Sequence, residues 1–254
     1  MSTVNDVFSF LNTVAPINLQ LGFDNSGFLI GDGMAEVTSV LLALDITDQV
    51  VEEACTKKAQ LIVSHHPFIF HPLKNLTLSP ETKKYYHMIK YNISAICLHT
   101  NLDIVEGGVN DILLERLGAV PCSALDQDQC GRIGEYGKAW DLHSFLAYCK
   151  EKLGAEGFRY YDAGKQVKRI AAMGGAGASA IRDAWQQGCD TYLTADLKYH
   201  DFRLAEELGI NLIDADHYYT ENPVMEMLKQ KLAANFPELE VSVSKKHSQI
   251  IHFA

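Results

Sequence analysis

Short apolar stretches rich in β-branched residues alternate with amphipathic stretches along most of the chain. Thr38–Ile46 predicts a strand, and Asp48–Ala59 predicts a helix whose first turn Thr47 is placed to cap. Gln60–Ser64 predicts the next strand. Strands that alternate with helices in this way are typical of β-α units around a largely parallel sheet. The pattern therefore predicts the α/β class.

The same criteria predict further elements through to the end of the chain. The predicted helices are Ser79–Tyr91, Val109–Leu117, Asp141–Leu153, Ala178–Gln187, Lys198–Leu208 and Pro223–Ala234. The predicted strands are Ile93–Leu98, Phe158–Tyr161, Lys168–Met173, Thr191–Thr194, Asn211–Asp214, Leu239–Val243 and Gln249–Phe253.

One polar stretch, Pro121–Arg132, is expected to be irregular and to mark the boundary between two lobes. We place the lobes at residues 1–125 and 126–254. A return of the C-terminal segment to the first lobe is the alternative arrangement.

Charge and hydropathy exclude two classes of partner. The formal net charge is -10, and so acidic a surface repels the phosphate backbone of extended DNA or RNA. A small anionic ligand is compatible with this charge, because a metal ion or a helix terminus can outweigh it locally. The N-terminal MSTVNDVFSFLNTV has no basic residue ahead of its apolar positions, and no stretch is apolar for long enough to span a bilayer. We expect no membrane association.

The six cysteines are scattered without a C-x-x-C pair, in a chain with no secretion signal. They predict free thiols in a reducing compartment, and not a disulfide framework. The sequence therefore indicates a cytoplasmic protein.

Candidate metal ligands follow three of the predicted strands. LIVS runs into His65 and His66, ISAICL runs into His99 and Asp103, and NLIDAD runs into His217. Functional groups gather at the carboxyl ends of parallel strands, so these clusters are expected to converge on one crevice. A lone histidine is more often a surface residue or a satisfied core residue. The convergence is what favours a metal site.

Local geometry supports two pairs within this set. Side chains alternate between the faces of a strand, so His65 and His66 can share a pocket only where the chain leaves the strand, as Pro67 allows. His217 and Glu221 are spaced i, i+4 and would lie on one face of a helical turn. A turn or cap role for Asp103 and a plain first-turn role for Glu221 stay open.

The donor types indicate which metals and which chemistry to expect. Three imidazoles and two carboxylates without a thiolate suit Zn, Mn, Fe, Co or Ni, and argue against a closed, cysteine-rich zinc site. Five ligands do not saturate two metal ions, which leaves positions for the activated water that hydrolysis near neutral pH requires. His99 is a candidate to orient a bound group, and an ordinary surface or core role is an equal alternative.

Three further stretches are weaker candidates. Gly174-Gly175-Ala176-Gly177 could receive a phosphate on its N–H groups, but it lacks the spacing and the lysine of known phosphate loops, and a tight turn is preferred. Asp24-Asn25-Ser26-Gly27 predicts a turn. Asp196 and His200, spaced i, i+4, are either an acid–base pair or one solvated helix face.

An ordered series of segments runs through nearly the whole chain. The segments are LGFDNSGFLIG (21–31), LLALDIT (41–47), IVSHHPFIF (62–70), LHTNLD (98–103), MGGAGAS (173–179), TADLKYH (194–200) and DADHYYTE (214–221). In this order they resemble the Nif-three-like family, also called GTP cyclohydrolase I type 2 homologues. Such a series is far more specific than any single motif.

The resemblance implies a fold, an assembly and a site. It implies two similar α/β lobes with a dinuclear metal centre in the cleft between them, and a toroidal homohexamer arranged as a trimer of dimers. The short stretch between the helices near Leu117 and Asp141 indicates the form of the family without an inserted domain. The family's ligand positions, which hold two divalent ions with a bridging carboxylate, fall on His65, His66, Asp103, His217 and Glu221.

The family name implies a hydrolytic opening of the imidazole ring of GTP, with proton transfer by residues such as His99 or His200. Two other functions stay open. Paired metals can also clamp the attacking and leaving oxygens of a phosphoester or nucleotide. A metal-binding scaffold that forms a ring without turnover is the alternative from a different class.

Overall fold

The computed structural model describes residues 1–253, which fold into two compact units. The first unit contains Met1–Val105 and Val224–Ser248, and the second contains Glu106–Pro223 and the residues from Gln249. The strands are β1 (Gly27–Ile30), β2 (Ser39–Ala43), β3 (Leu61–Ser64), β4 (Ser94–Cys97), β5 (Val120–Ala124), β6 (Arg132–Trp140), β7 (Arg159–Tyr161), β8 (Val167–Ala176), β9 (Thr191–Ala195), β10 (Asn211–Asp214) and β11 (Glu240–Val243). The α-helices are α1 (Val4–Val14), α2 (Asp48–Lys57), α3 (Lys83–Lys90), α4 (Thr100–Ile104), α5 (Val109–Arg116), α6 (Leu142–Leu153), α7 (Ile181–Gln186), α8 (Tyr199–Leu208), α9 (His217–Glu221) and α10 (Val224–Asn235).

The first unit is built on a sheet with the strand order β1-β4-β3-β2-β11. All neighbouring pairs are parallel except β1 and β4. Every residue of β2, β3 and β4 is buried, as expected for strands that are covered on both faces. Leu41 of β2 lies in a core cluster with Val50 of α2 and Met88 of α3, and α10 contacts β2 and β11.

The second unit is built on a sheet with the order β5-β6-β8-β9-β10-β7. β8, β9 and β10 run parallel, and the other pairs are antiparallel. Successive side chains of β8 point to opposite faces, so Ile170 packs in a cluster with Phe145 of α6 whereas Ala171 packs with Ile181 of α7. Helices therefore cover both faces of this sheet.

Each unit brings the carboxyl ends of three parallel strands side by side. In the first unit, β2, β3 and β4 are neighbours and run into Asp45, His65 and His99. In the second unit, β9 and β10 run into Asp196 and His217 beside the end of β8. The register of these strands places each group of candidate side chains at one edge of its own sheet.

The predicted α/β class is confirmed, and most predicted elements lie within a few residues of their predicted bounds. Thr47 caps α2 as expected, since its side chain accepts a hydrogen bond from the N–H of Val50. The helix predicted from Ser79 begins only at Lys83, because the side chains of Ser79 and Thr82 hydrogen-bond within the preceding turn. α1 and β1 were not predicted. No helix in residues 1–253 is both long enough and apolar enough to cross a lipid bilayer.

Two predicted elements are wrong. Gln249–Phe253 is not a strand; Ile250 and Ile251 are 84% and 55% exposed, so their apolar character does not reflect a buried sheet position. Pro121–Arg132 is not irregular throughout, because β5 and β6 pair antiparallel across it. β5 lies at the sheet edge and is mostly exposed, which removes the apolar pattern that would reveal a strand. Three of the five strand pairs in the second sheet are also antiparallel, where a largely parallel sheet was expected.

The units divide after Val105, whereas the sequence placed the boundary after residue 125. Leu113 and Leu114 of α5 lie in a core cluster of the second unit, so this helix and β5 belong there. The chain returns to the first unit at Val224, and β11 then extends the first sheet. The polar stretch that suggested the boundary contains most of β5 and the turn that joins β5 to β6.

The carboxylate of Glu53, in α2, hydrogen-bonds to the segment that follows β11. Its oxygens accept hydrogen bonds from the Ser244 hydroxyl at 2.5 Å and from the backbone N–H groups of Lys245 and Lys246 at 3.0 and 3.1 Å. Lys57 lies 3.2 Å away. Burial opposes ionisation, but these donors outweigh it and lower the pKa of Glu53. The ionised carboxylate therefore holds the residues that follow β11 against α2.

We predict that Glu53→Gln lowers the free energy of unfolding by about 2 kcal/mol, because an amide cannot satisfy several donors that an ionised carboxylate accepts. Glu52→Gln is the control, since Glu52 bonds only an exposed lysine, Lys83. Urea denaturation measures both. The difference should shrink as the pH falls below the ordinary glutamate range, because a lowered pKa stabilises the fold only while the group is ionised. Equal free energies of unfolding for the two variants at pH 7 would show that the hydrogen bonds of Glu53 do not stabilise the fold.

Candidate metal centre

His65 and His66 follow β3 directly, at the point where the chain leaves the strand. β3 ends at Ser64, and the N–H groups of His65 and His66 donate to the carbonyls of Ala43 and Leu44 next to β2. The two rings lie with centroids 5.1 Å apart. Both histidines therefore reach one side of the sheet edge, as the sequence required if they were to share a pocket.

Both imidazoles are held at Nδ1. Nδ1 of the fully buried His65 donates to the carbonyl of Leu98 at 2.8 Å, and Nδ1 of His66 donates to Oδ1 of Asp45 at 2.8 Å. A carbonyl oxygen can only accept, so Nδ1 of His65 carries the proton. Nε2 then carries the lone pair, which is the tautomer that a metal-binding imidazole needs.

His99 is held in the same way by a buried carboxylate. Its Nδ1 donates to Oδ1 of Asp24 at 2.8 Å, while Oδ2 accepts from the Ser26 hydroxyl and the Thr100 N–H at 2.9 and 3.0 Å. Burial would raise the pKa of Asp24, but hydrogen bonds from His99, Thr100 and Ser26 outweigh it and hold the pKa well below its usual range. Asp24 is therefore a fixed negative charge behind His99. The sequence had indicated only turn chemistry here.

The three imidazoles of the first unit form one cluster. The His99 ring lies 5.3 Å from that of His65 and 5.8 Å from that of His66. One ligand nitrogen from each ring lies within 4.8 Å of the others, which is the spacing of a group that could hold a metal ion. Asp103, on α4, has Oδ1 3.6 Å from Nε2 of His65. The first unit thus brings together the four candidates that the sequence placed after its strands.

Cys97, the last residue of β4, bonds to the backbone of this cluster, and its thiol is protonated at pH 7. Its Sγ–H donates to the backbone carbonyl of His65 at 2.9 Å. Burial raises the pKa of the Cys97 thiol well above its ordinary value, and the charges of Asp24 and Asp103 act in the same direction. The donor set of the first unit therefore consists of nitrogen and oxygen atoms.

The second unit holds His217 and Glu221 on one face of α9. Nε2 of His217 lies 2.9 Å from Oε2 of Glu221, as the i, i+4 spacing predicts. Nδ1 of His217 donates to Oδ2 of Asp196 at 2.9 Å. Glu221 is buried, with 4% of its surface exposed. A buried carboxylate beside an oriented imidazole is the arrangement expected of a metal-binding pair.

A glycine makes room for this pair. Gly175, near the end of β8, has a φ of 64°, and a Cβ built on it would lie 2.1 Å from Oε1 of Glu221 and 3.2 Å from Nε2 of His217. A side chain at this position would displace the Glu221 carboxylate. The strand end therefore fixes where the carboxylate sits.

The glycine-rich segment is not a phosphate loop. Its N–H groups already donate within the protein: Gly174 to Oδ1 of Asn110, Gly175 to the Thr220 hydroxyl, and Gly177 to the Thr194 hydroxyl. The preferred interpretation of a close turn fits these bonds.

Asp196 and His200 do not form the suggested acid–base pair. α8 begins at Tyr199, so Asp196 lies outside the helix, with a φ of 56°, and its carboxylate accepts from His217 instead. His200 is exposed in the first turn of α8, where its ring lies edge-on to Tyr199. The i, i+4 rule failed here because it holds only within a helix.

Three residues that orient the histidines were missed or misread from the sequence: Asp24, Asp45 and Asp196. A fourth residue near the site, His247, was also missed. The three aspartates each follow or face a strand end, but their histidine partners lie 21 to 75 residues away. His247 is buried near Asp45 and His66. Burial lowers its pKa to about 4, and the charge of Asp45 opposes this shift, so the ring is neutral at pH 7. The sequence signal that could have identified two of these residues is an acidic residue at or just after the end of a predicted strand, as at Asp45 and Asp196.

The family model described as Duf34/NIF3 (NGG1p interacting factor 3) matches residues 2–250. The chain belongs to this family. The resemblance read from the ordered segments is therefore confirmed. This NIF3-family chain is 34% identical over 261 aligned positions to a Clostridium perfringens protein named GTP cyclohydrolase 1 type 2 homolog, an alignment that covers 98% of the chain and 99% of the relative.

Solved structures agree with the fold of this NIF3-family chain. The Staphylococcus aureus hypothetical protein SA1388 superposes with a TM-score of 0.93 at 30% identity, covering 99% of each chain. Reduced HcgD from Methanocaldococcus jannaschii superposes with a TM-score of 0.86 at 29% identity, covering 96% of this chain and 98% of that one. The two-unit α/β architecture is thus shared along essentially the full chain.

We predict that Gly175→Ala reduces retained metal at least tenfold, because the new Cβ displaces the Glu221 carboxylate. Gly209→Ala is a matched control: Gly209 also has a φ of 64°, but its Cβ would meet nothing within 4 Å. Both variants should lose about 1 kcal/mol of stability from left-handed strain. Metal analysis and urea denaturation measure the two effects. Equal metal content in the two variants would show that Gly175 matters only for its backbone.

Proposed function

We propose that this chain binds two divalent metal ions through His65, His66, Asp103, His217 and Glu221, and uses them for hydrolysis. One observation carries the proposal. The imidazoles of His65, His66, His99 and His217 are each held at Nδ1 by a carbonyl or a carboxylate. Surface or core histidines do not need this shared orientation, whereas metal ligands do.

The donor chemistry fits divalent transition metals. Imidazole nitrogens and carboxylate oxygens suit Zn, Mn, Fe, Co or Ni. Bound ions of this kind supply Lewis-acid activation of a water molecule and of a substrate oxygen. The ligands from the first unit contribute two imidazoles and one carboxylate, and those from the second contribute one of each. The carboxylate–imidazole pair of α9 is preformed, which favours binding without rearrangement.

His99 is the residue that we propose to move a proton during the reaction. The hydrogen bond from Nδ1 to the buried Asp24 carboxylate orients the His99 ring and leaves Nε2 on the side of the cluster with His65 and His66. An imidazole oriented by a carboxylate is the usual arrangement for general acid–base catalysis. His200 remains a second candidate for proton transfer.

We propose a nucleotide as the substrate, with GTP as the first compound to test. The support is the name of the curated relatives, GTP cyclohydrolase 1 type 2 homolog, at 32–34% identity. Opening of the guanine imidazole ring is the reaction that this name suggests. Cleavage of a phosphoester bond is the alternative that the same paired ions would support.

We further propose that the chain assembles as a homohexamer, a trimer of dimers, as the family resemblance implies. Light scattering on protein with and without chelator tests this together with the scaffold function. A metal-dependent enzyme should keep its assembly and lose catalysis when stripped. A scaffold held together by metal should dissociate.

We predict about two metal ions per chain in protein purified without chelator, and a clear loss in the His65→Ala, His217→Ala double variant. The matched control is His87→Ala, His143→Ala, which removes one histidine from a helix of each unit. Elemental analysis measures all three proteins. Absence of metal from the wild type, even after reconstitution, would end the hydrolase proposal. Loss in both double variants would point to unfolding.

We predict that the metal-loaded protein hydrolyses GTP and that His99→Gln lowers kcat at least a hundredfold while the metal content is kept. Loss of guanine absorbance reports ring opening, and phosphate release reports phosphoester cleavage. His200→Gln, assayed in parallel, should have a smaller effect because its ring is exposed. If His99→Gln loses metal in proportion to activity, His99 is a ligand and not a proton carrier.

A further inference from the structure

Two exposed phenylalanines lie beside the imidazole cluster of the first unit. Phe23 is 65% exposed and Phe70 is 37% exposed, and their ring centroids are 6.4 Å apart at an angle of 59°. A single exposed apolar side chain is ordinary on a protein surface. Two exposed rings in contact with each other form a small apolar patch, and such patches often mark a binding site.

The loops that present these rings are tied to each other and to α3. The side-chain amide of Asn25 donates to the carbonyl of Ile69. The Tyr85 hydroxyl donates to the carbonyl of Phe68 at 2.7 Å, and the Phe68 and Tyr85 rings stack at 4.9 Å. The neighbours of both exposed rings are thus fixed. Phe23 and Phe70 are presented by an ordered surface, and are not the tips of free loops.

The pair continues the row of rings that begins at the candidate ligands. The ring of Phe70 lies 6.2 Å from that of His99, at 89° to it. His99 in turn lies within ring-contact distance of His65 and His66. Phe23 precedes Asp24, the carboxylate that holds His99. A molecule reacting at the imidazole cluster would have Phe70 and Phe23 next to it on this side.

We propose that Phe23 and Phe70 form a stacking subsite for the planar heteroaromatic ring of the substrate. This inference rests on the proposed function and adds to it the part of the substrate that is recognised. Aromatic faces favour offset or edge-to-face contact with another aromatic ring, and every nucleobase offers such a face. Because every base has an aromatic face, the subsite would bind any nucleobase. It explains why a planar ring is bound, and it does not explain a preference for one base.

A second protein chain is a poorer occupant for this pair. A standard interface buries about 800 Å² on each partner, and two partly exposed phenylalanine rings supply only a small part of that area. Continuity with His99 also ties the pair to the reacting site. A small planar ring matches both the size and the position of the pair.

The test compares two probes on the metal-loaded protein by calorimetry. GTP carries a planar ring, and tripolyphosphate carries the same triphosphate charge without one. We expect Phe70→Leu and Phe23→Leu each to weaken GTP binding about tenfold and to leave tripolyphosphate binding unchanged. Phe70→Trp should retain GTP affinity, because it keeps an aromatic face. Tyr91→Leu is the control, since Tyr91 is 52% exposed at the end of α3 in the same unit.

Several outcomes would overturn the stacking subsite. These are equal weakening for both probes, unchanged GTP affinity in the leucine variants, or wild-type binding of GTP, ATP and CTP no tighter than that of tripolyphosphate. A drop in assembly mass with unchanged affinity would assign the pair to a subunit contact. Failure of the proposed function has a different signature: GTP binds through the aromatic pair but is not turned over. If GTP is turned over but the Phe23 and Phe70 variants bind GTP as tightly as the wild type, the proposed function stands and the stacking subsite is wrong.

Discussion

The orientation of the imidazoles at Nδ1 is the constraint on which the candidate site depends. Each ring is held because a carbonyl or a carboxylate elsewhere in the same unit accepts its Nδ1 proton. This bond selects the tautomer and fixes the ring. The ligand residues alone would not achieve this, because a free imidazole samples both tautomers and several rotamers. The supporting residues, Asp24, Asp45 and Asp196, are therefore as much part of the site as the rings.

Both units position their candidate ligands in the same way. Three parallel strands in register end side by side, and the residues just past those ends carry the chemistry. The units differ in detail. The first gathers three imidazoles from two strand ends, whereas the second places an imidazole and a carboxylate on the short helix α9 and makes room for them with Gly175. Burial of the Glu221 carboxylate is tolerated because a cationic partner or a metal can offset its desolvation.

Family membership and local chemistry support different parts of the functional proposal. The Duf34/NIF3 match and the fold similarity extend over nearly the whole chain and establish the architecture. The oriented nitrogen and oxygen donors support metal-dependent chemistry. Neither identifies a substrate, and here the exposed pair Phe23 and Phe70 is informative. An aromatic surface that borders His99 favours a substrate with a planar ring, which agrees with the nucleotide suggested by the names of the relatives.

The sequence by itself determined the α/β class, the family and the clusters of candidate ligands after the strands, because these depend on local periodicity and on motifs read in order. It also gave the i, i+4 contact of His217 and Glu221, since one helical turn fixes that geometry. Only the tertiary structure decided which carboxylate holds which histidine, because Asp24 and His99 are 75 residues apart. It also decided that Asp196 accepts a hydrogen bond from His217 and does not pair with His200. The exposed edge strand β5 and the return of the chain to the first unit at Val224 were likewise visible only in the tertiary structure. Each of these depends on which strands and loops lie side by side in the fold, and the local hydrophobic periodicity that identifies each element does not specify this.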